Sequence, residues 1–172
     1  MIRKEIKSFN PSIFNDFKKG ALLTVGDIDK RNTMTVGWGF MGTLWKKNVI
    51  AVFVRPTRYT YSLMEECERF TLSFLKDGHD EQIEYMGRHS GRYEDKYEKS
   101  GLQPVYDNDS FVSYIKDSKY VLKCKKIYAD FIKPECFIDK GLLANYDENL
   151  QDYHKVYIAE VTSLLVDEEY EG

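Results

Sequence analysis

Three cysteines in 172 residues, Cys67, Cys124 and Cys136, are odd in number and far apart. That excludes a disulfide framework, and no C-x-x-C pair suggests a zinc site or a redox dithiol. They read as small buried hydrophobes or idle thiols. His79, His89 and His154 show no metal-ligand spacing with one another or with the cysteines, so no metal is expected. Four prolines and 11 glycines are too few for a disordered or low-complexity chain. No apolar run is long enough to span a bilayer, and the charged start MIRKEIKSFN has no apolar h-region behind it. The expectation is a soluble cytoplasmic protein with no membrane partner. A net charge of -3, with lysines interleaved among acids, argues against nucleic acid as a partner.

What is present is aromatic and patterned. Phe, Trp and Tyr make up 15% of the chain, 13 of them Tyr, and the length allows one domain, residues 1–172, with a real core. Residues 11–19 read as a short helix with Ile13, Phe14 and Phe17 on one side, ended by Gly20. Residues 21–28 and 33–38 read as a hairpin of strands, the first half-buried, around a polar turn at 27–32. Residues 43–48 read as a lysine-bearing link into a buried strand at 49–54. A helix at 59–68 follows. Residues 69–75 then alternate as a half-buried strand, with Ser73 placed on the ligand side. Residues 80–88 form a second helix, with Asp77, Gly78 and Gly87 punctuating its ends. A polar loop with two glycines comes next. Strands are expected at 111–115, at 120–129 with one wetted face, and at 154–166; residues 136–151 fit a short helix or a covering loop. Six or seven antiparallel strands with two or three short helices give a mainly β fold, a small barrel with helices at its rim.

The chemistry concentrates between Asn32 and Thr60. Asn32 to Gly39 is small, polar and broken by glycine, so its backbone can approach a flat ligand closely. Gly37, Gly39 and Gly42 spell G-x-G-x-x-G, but no helix opens there, and the match is read as accidental. After the buried strand, Arg55, Pro56, Thr57, Arg58, Tyr59 and Thr60 bring two guanidiniums and two threonine hydroxyls to a helix start that Thr57 is placed to cap. A helix N-terminus with arginine beside it suits a phosphate. An ordinary capped helix with two solvated arginines gives the same local pattern.

Several blocks in chain order resemble the flavin reductase-like family, which includes the flavoredoxins. Asn32-Thr33-Met34-Thr35-Val36-Gly37-Trp38-Gly39 is similar to its N-x-M-T-x-x-W-G strand, and Arg55-Pro56-Thr57-Arg58-Tyr59-Thr60 to its R-P-x-R-Y-T phosphate segment. Ser90-Gly91-Arg92-Tyr93-Glu94-Asp95-Lys96-Tyr97 resembles its S-G-R-D-x-D-K-F loop, with Tyr93 replacing an acid and Tyr97 a phenylalanine. The segment from His154 to Val161 resembles G-D-H-x-x-x-x-G-E-V, with Ala159 in place of the second glycine and Asp152-Tyr153 before the histidine.

The resemblance implies an FMN-binding split β-barrel, a homodimer with FMN at its interface, and NADH or NADPH as possible reductant. It implies that Arg55, Thr57, Arg58 and Thr60 hold the phosphate, with Tyr59, Ser73 and Ser90 also among the cofactor-binding residues. Asn32, Met34, Thr35, Val36, Gly37 and Trp38 would line the ring, Lys96 would stabilise negative charge at the ring's polar edge, and His154 would stand on the nicotinamide side. Three functions remain open on these residues. One is an oxidoreductase taking hydride from NAD(P)H at flavin N5 and passing electrons to a flavin or other small acceptor. Another is a flavoredoxin-like carrier exchanging electrons with a redox protein. The third is a barrel that binds another ligand or none.

Overall fold

A computed structural model describes residues 1–6, 13–110, 112–147, 149–150 and 152–170. The expected helix start at Pro11 and Ser12, Phe111 of the expected 111–115 strand, and Gln151 lie outside the described residues.

The first strands are β1 (Ile2–Lys4), β2 (Ala21–Gly26) and β3 (Arg31–Val36), with helix α1 (Ile13–Lys19) between β1 and β2. Next come β4 (Gly39–Leu44), β5 (Lys47–Val54), α2 (Tyr59–Glu66), β6 (Arg69–Leu75), α3 (Asp80–Arg88) and α4 (Lys96–Ser100). The chain ends with β7 (Pro104–Asp107), β8 (Val112–Ile115), β9 (Ser118–Phe131) and β10 (Lys155–Val166). One antiparallel sheet runs β3-β2-β6-β9-β10-β5-β4, and β1 adds to the far half of β10 while β7 and β8 pair separately. The sheet curls into the split barrel. Leu23, Val25, Val52, Leu72, Leu122 and Tyr157 meet inside it, and Phe17 of α1 with Leu63 and Met64 of α2 join the same core. Burying side chains of that size stabilises by about 1.5–3 kcal/mol each. That burial holds α2 at the barrel, so the chain entering α2 is fixed in place.

Ten strands among the described residues exceed the expected six or seven. The missing one beside β5 is instructive: β4 and β5 join through Trp45 and Lys46, both at positive φ (51° and 60°), in a tight hairpin without the usual glycine or asparagine. Residues 43–48 therefore read as a link. β2 and β6 were expected to be half-buried, yet both faces are covered, because α3 and the β7–β8 hairpin pack on the outer side through Leu22, Leu75, Ile83, Met86, Leu102 and Ile115. The polar half of the β6 alternation meets backbone rather than water: Thr71 Oγ1 donates to the Ser113 carbonyl, and the Ile115 N–H donates to Ser73 Oγ at 3.0 Å. The expected wetted face of β9 is corrected for the same reason, since Lys123 is buried and ion-paired with Asp107 of β7.

The expected helix at 59–68 stops at Glu66. Gly87 lies inside α3 rather than ending it; a Cβ there would stand 3.2 Å from Thr35 Cβ, so glycine lets α3 approach β3. The described part of the 136–151 stretch forms a cover with 3-10 turns at Pro134–Cys136 and Lys140–Asn145. Among the described residues no helix is long and apolar enough to cross a membrane.

Candidate functional site

β3 is an end strand of the sheet, so one of its edges carries backbone N–H and C=O groups without a ladder partner. Beside it lies a cavity of about 400 Å³ lined by Met34, Thr35, Val36, Gly37, Trp38, Phe53, Arg55, Thr57, Arg58 and His154. A smaller one of about 70 Å³ shares Met34, Thr57 and Arg58 with it and adds Asn32, Tyr59, Thr60, Met86, Arg88, His89, Ser90 and Lys96. Fourteen of the fifteen expected site residues thus gather along one trough. The exception is Ser73, fully buried on the outer face of β6 with its hydroxyl taken by Ile115; it is a structural hydrogen bond and not a ligand contact.

The smaller cavity is built by long-range ties. Asn32 of β3 donates to Thr60 Oγ1 of α2 at 2.7 Å, and both are buried. Thr57 does not cap α2: the N-cap is Arg58, which makes no side-chain cap bond, and Thr57 is exposed at the rim. The Tyr59 and Thr60 amides open the helix and have no helical acceptor. Gly91 sits so close to Asn32 that a Cβ would lie 2.3 Å from Asn32 Oδ1. Thr35 spends its hydroxyl on the Ile83 carbonyl of α3, so only its backbone is available to the trough.

The charges are unevenly balanced. Arg55 is committed: it pairs with Asp152, donates to the Asn145 carbonyl at 2.7 Å and lies 5.3 Å from the Tyr146 ring centre. Arg88 pairs with Glu84. Arg58 is half-buried with no carboxylate partner among the described residues, and burial followed by the charge of Arg55 lowers its pKa from the ordinary arginine value. Lys96 is only 3% exposed. Its ammonium donates to the carbonyls of Met86 at 2.7 Å and His89 at 3.0 Å, at the end of α3, where a cation suits the helix dipole. Burial first, then Arg58, push Lys96 down to about 8, against a smaller opposing pull from Glu94. Two cations thus share one small cavity, Arg58 depressing Lys96, and an anion between them would favour the charged form of both.

Lys96 also sets a pH window. Its pKa is about 8 folded and 10.5 as an ordinary lysine, so between these values the unfolded chain binds more protons and stability rises with pH. Anion binding runs the other way, because Lys96 loses its charge as pH rises past 8. Affinity for a phosphate ligand, already a dianion there, should fall between pH 7 and 9.5 in a fluorescence titration, and the fall should be absent in Lys96→Met.

At the other end of the trough, Trp38 is 47% exposed and its ring lies 4.9 Å from the His154 ring, with the Phe53 ring 6.4 Å from His154. His154 is buried, and its Nδ1 lies 3.2 Å from the Tyr146 hydroxyl. Burial first, then Arg55 and Arg58, lower its pKa to about 4 against the opposing pull of Asp152, so the imidazole is neutral at pH 7. Sequence reasoning missed Phe53, Tyr146 and the partner role of Asp152. Phe53 lay in an apolar run with no polar marker, and Tyr146 reaches the site only through the folded cover. It also missed α4, whose signal was present: Asp95 caps it through the amides of Tyr97 and Glu98, with Glu98 three residues on.

A family model described as flavin reductase like domain matches residues 18–172. An uncharacterised protein of Archaeoglobus fulgidus is 31% identical over 110 residues, covering 61% of this chain; the matched stretch spans 59% of that relative's length. The flavoredoxin of Desulfovibrio vulgaris (Miyazaki F) superposes with a TM-score of 0.66 at 25% identity, over 87% of this chain and 69% of that one. An FMN-binding domain of a flavin reductases-like enzyme from Shewanella baltica OS155 shares the fold with a TM-score of 0.68 at 14% identity, covering 96% and 76%.

Proposed function

This chain belongs to the flavin reductase-like family, and from that membership we propose that it is an FMN-binding oxidoreductase using NADH or NADPH as reductant. The observation that carries the flavin half of the reading is the pair Arg58 and Lys96, two cations with no carboxylate between them, facing a cavity of about 70 Å³ that opens beside the free edge of β3. Bound FMN would supply the chemistry, accepting hydride at N5 and passing electrons to a flavin or another acceptor.

The chain supplies binding and orientation. Arg58, the amides of Tyr59 and Thr60, and Lys96 hold the phosphate. Asn32 and Thr60 fix the angle between β3 and α2, so the phosphate seat and the ring strip keep their distance. The unladdered edge of β3 at Met34 to Val36, continuing to Gly37 and Trp38, reads the polar edge of a flat ring, with Trp38, Phe53 and His154 bounding the space for a second planar reactant. Arg55 acts at one remove from the phosphate, by pinning the cover through Asp152 and Asn145.

The reading includes a homodimer. What supports it is the outer face of the β4-β5-β10-β9 sheet: Phe40, Phe53, Val156, Ile158 and Tyr128 share it by register, and Phe40 and Tyr128 are exposed. Phe40→Asp should give a monomer by light scattering with weaker flavin retention. An unchanged dimer mass would place the contact elsewhere.

The flavoredoxin likeness, at 25% identity, supports a second reading in which the flavin exchanges electrons only with another redox protein. The deciding experiment is a visible spectrum of the purified, desalted protein with added FMN, followed by anaerobic NADH and NADPH. Bleaching with either nucleotide supports the oxidoreductase. Persistent yellow with both favours the carrier, and protein that never holds FMN rejects both.

A further inference from the structure

Tyr146 belongs to the cover, just after the Lys140–Asn145 turn, and its position is determined from several sides. The Arg55 guanidinium lies 5.3 Å from its ring centre, the Tyr153 ring is 4.7 Å away and the Phe137 ring 6.0 Å. Arg55 is itself held by Asp152 and the Asn145 carbonyl. A tyrosine fixed in this way presents its hydroxyl to His154 Nδ1 at 3.2 Å, with the two rings near perpendicular at 78°.

The direction of that hydrogen bond follows from chemistry. A phenol O–H is a stronger donor than a neutral imidazole N–H, and an unprotonated imidazole nitrogen is a stronger acceptor than a phenol oxygen. Tyr146 therefore donates, Nδ1 accepts, and the imidazole proton sits on Nε2. Among the described residues no protein group bonds Nε2, which leaves it the ring nitrogen available to a ligand in the cavity that His154 lines with Trp38 and Phe53. We propose that Tyr146 is a positioning residue that holds His154 as its neutral Nε2–H tautomer, giving the cavity a hydrogen-bond donor for the carbonyl or carboxamide oxygen of the second planar reactant. A neutral donor matches an uncharged carbonyl rather than a carboxylate, which would call for an imidazolium. The identity of the reactant rests on the flavin reading above; the tautomer does not.

The experiment uses the full chain labelled with 15N-histidine, at pH 7, before and after FMN addition, with His154 assigned by the signal lost in His154→Phe. Long-range 1H–15N correlation is expected to show a protonated Nε2 and a bare Nδ1, and Tyr146→Phe to shift the ring toward a mixture of tautomers. A protonated Nδ1, or a mixture already in the natural chain, overturns the proposal. This readout needs no bound flavin, so a failure of the flavin reading appears separately, as a missing flavin spectrum. Where FMN is held, Tyr146→Phe should raise KM for NADH by about three- to tenfold, the size of one hydrogen bond, with FMN affinity kept. An unchanged KM overturns the donor role.

Discussion

Arg58→Ala should weaken FMN binding by about ten- to a hundredfold while the fold stays intact. The size follows from losing a charge-assisted contact to phosphate, worth roughly 1.5–3 kcal/mol. The fold is expected to hold because Arg58 has no carboxylate partner among the described residues and makes no side-chain cap bond. Removing an unbalanced cation also relieves Lys96, whose pKa should rise toward the ordinary lysine value. Flavin fluorescence titration measures the affinity and a thermal melt checks the fold. Unchanged affinity with an unchanged melt would remove the phosphate assignment. Arg55→Ala should differ: with Arg55 committed to Asp152 and Asn145, its loss should loosen the cover and expose Tyr146 before it affects the phosphate.

Gly91→Ala should be as damaging to binding and should destabilise as well. The added methyl would stand 2.3 Å from Asn32 Oδ1 and 3.4 Å from Tyr59 Cδ1. Asn32 has nowhere to go, since it is 5% exposed and tied through its amide to Thr60. Either the 89–95 loop lifts away or the bond between β3 and α2 breaks, and both outcomes spoil the phosphate seat. Overpacking of this kind costs about 1–3 kcal/mol, and FMN affinity should fall by about tenfold or more with the loss of an aligned charged contact. Gly42→Ala is the matched control, because a methyl there meets nothing within 4 Å. Equal melting temperatures and affinities in the two variants would refute the close-approach argument.

These residues also show what a sequence carries openly. Local chemistry was legible: the proline after β5, the paired arginines and the glycine-broken strand each follow from neighbours in the chain. What stayed hidden depends on partners far along it. Ser73 looked ligand-facing because alternation marks a second face without saying what covers that face, and the cover is β8, about 40 residues away. Arg55 and Arg58 read as twins, and only Asp152, 97 positions from Arg55, separates a committed guanidinium from an available one. Thr57 looked like a cap because its residue type fits, but the chain enters α2 one residue later. Tyr146 had no local signal at all, since its role arises from a cover folded back onto Arg55 and His154.

The free edge of β3 bears on the life of the chain before any ligand arrives. An end strand with unpaired amides is a template for another strand, and β3 carries neither a proline nor a lysine to discourage one. A flat polar ring laid along that edge would occupy the same hydrogen-bonding groups that a neighbouring chain would seek. Newly made protein that outruns the flavin supply would then be the form most prone to stick to its own kind, and the cofactor would act as a guard on solubility as much as a reagent.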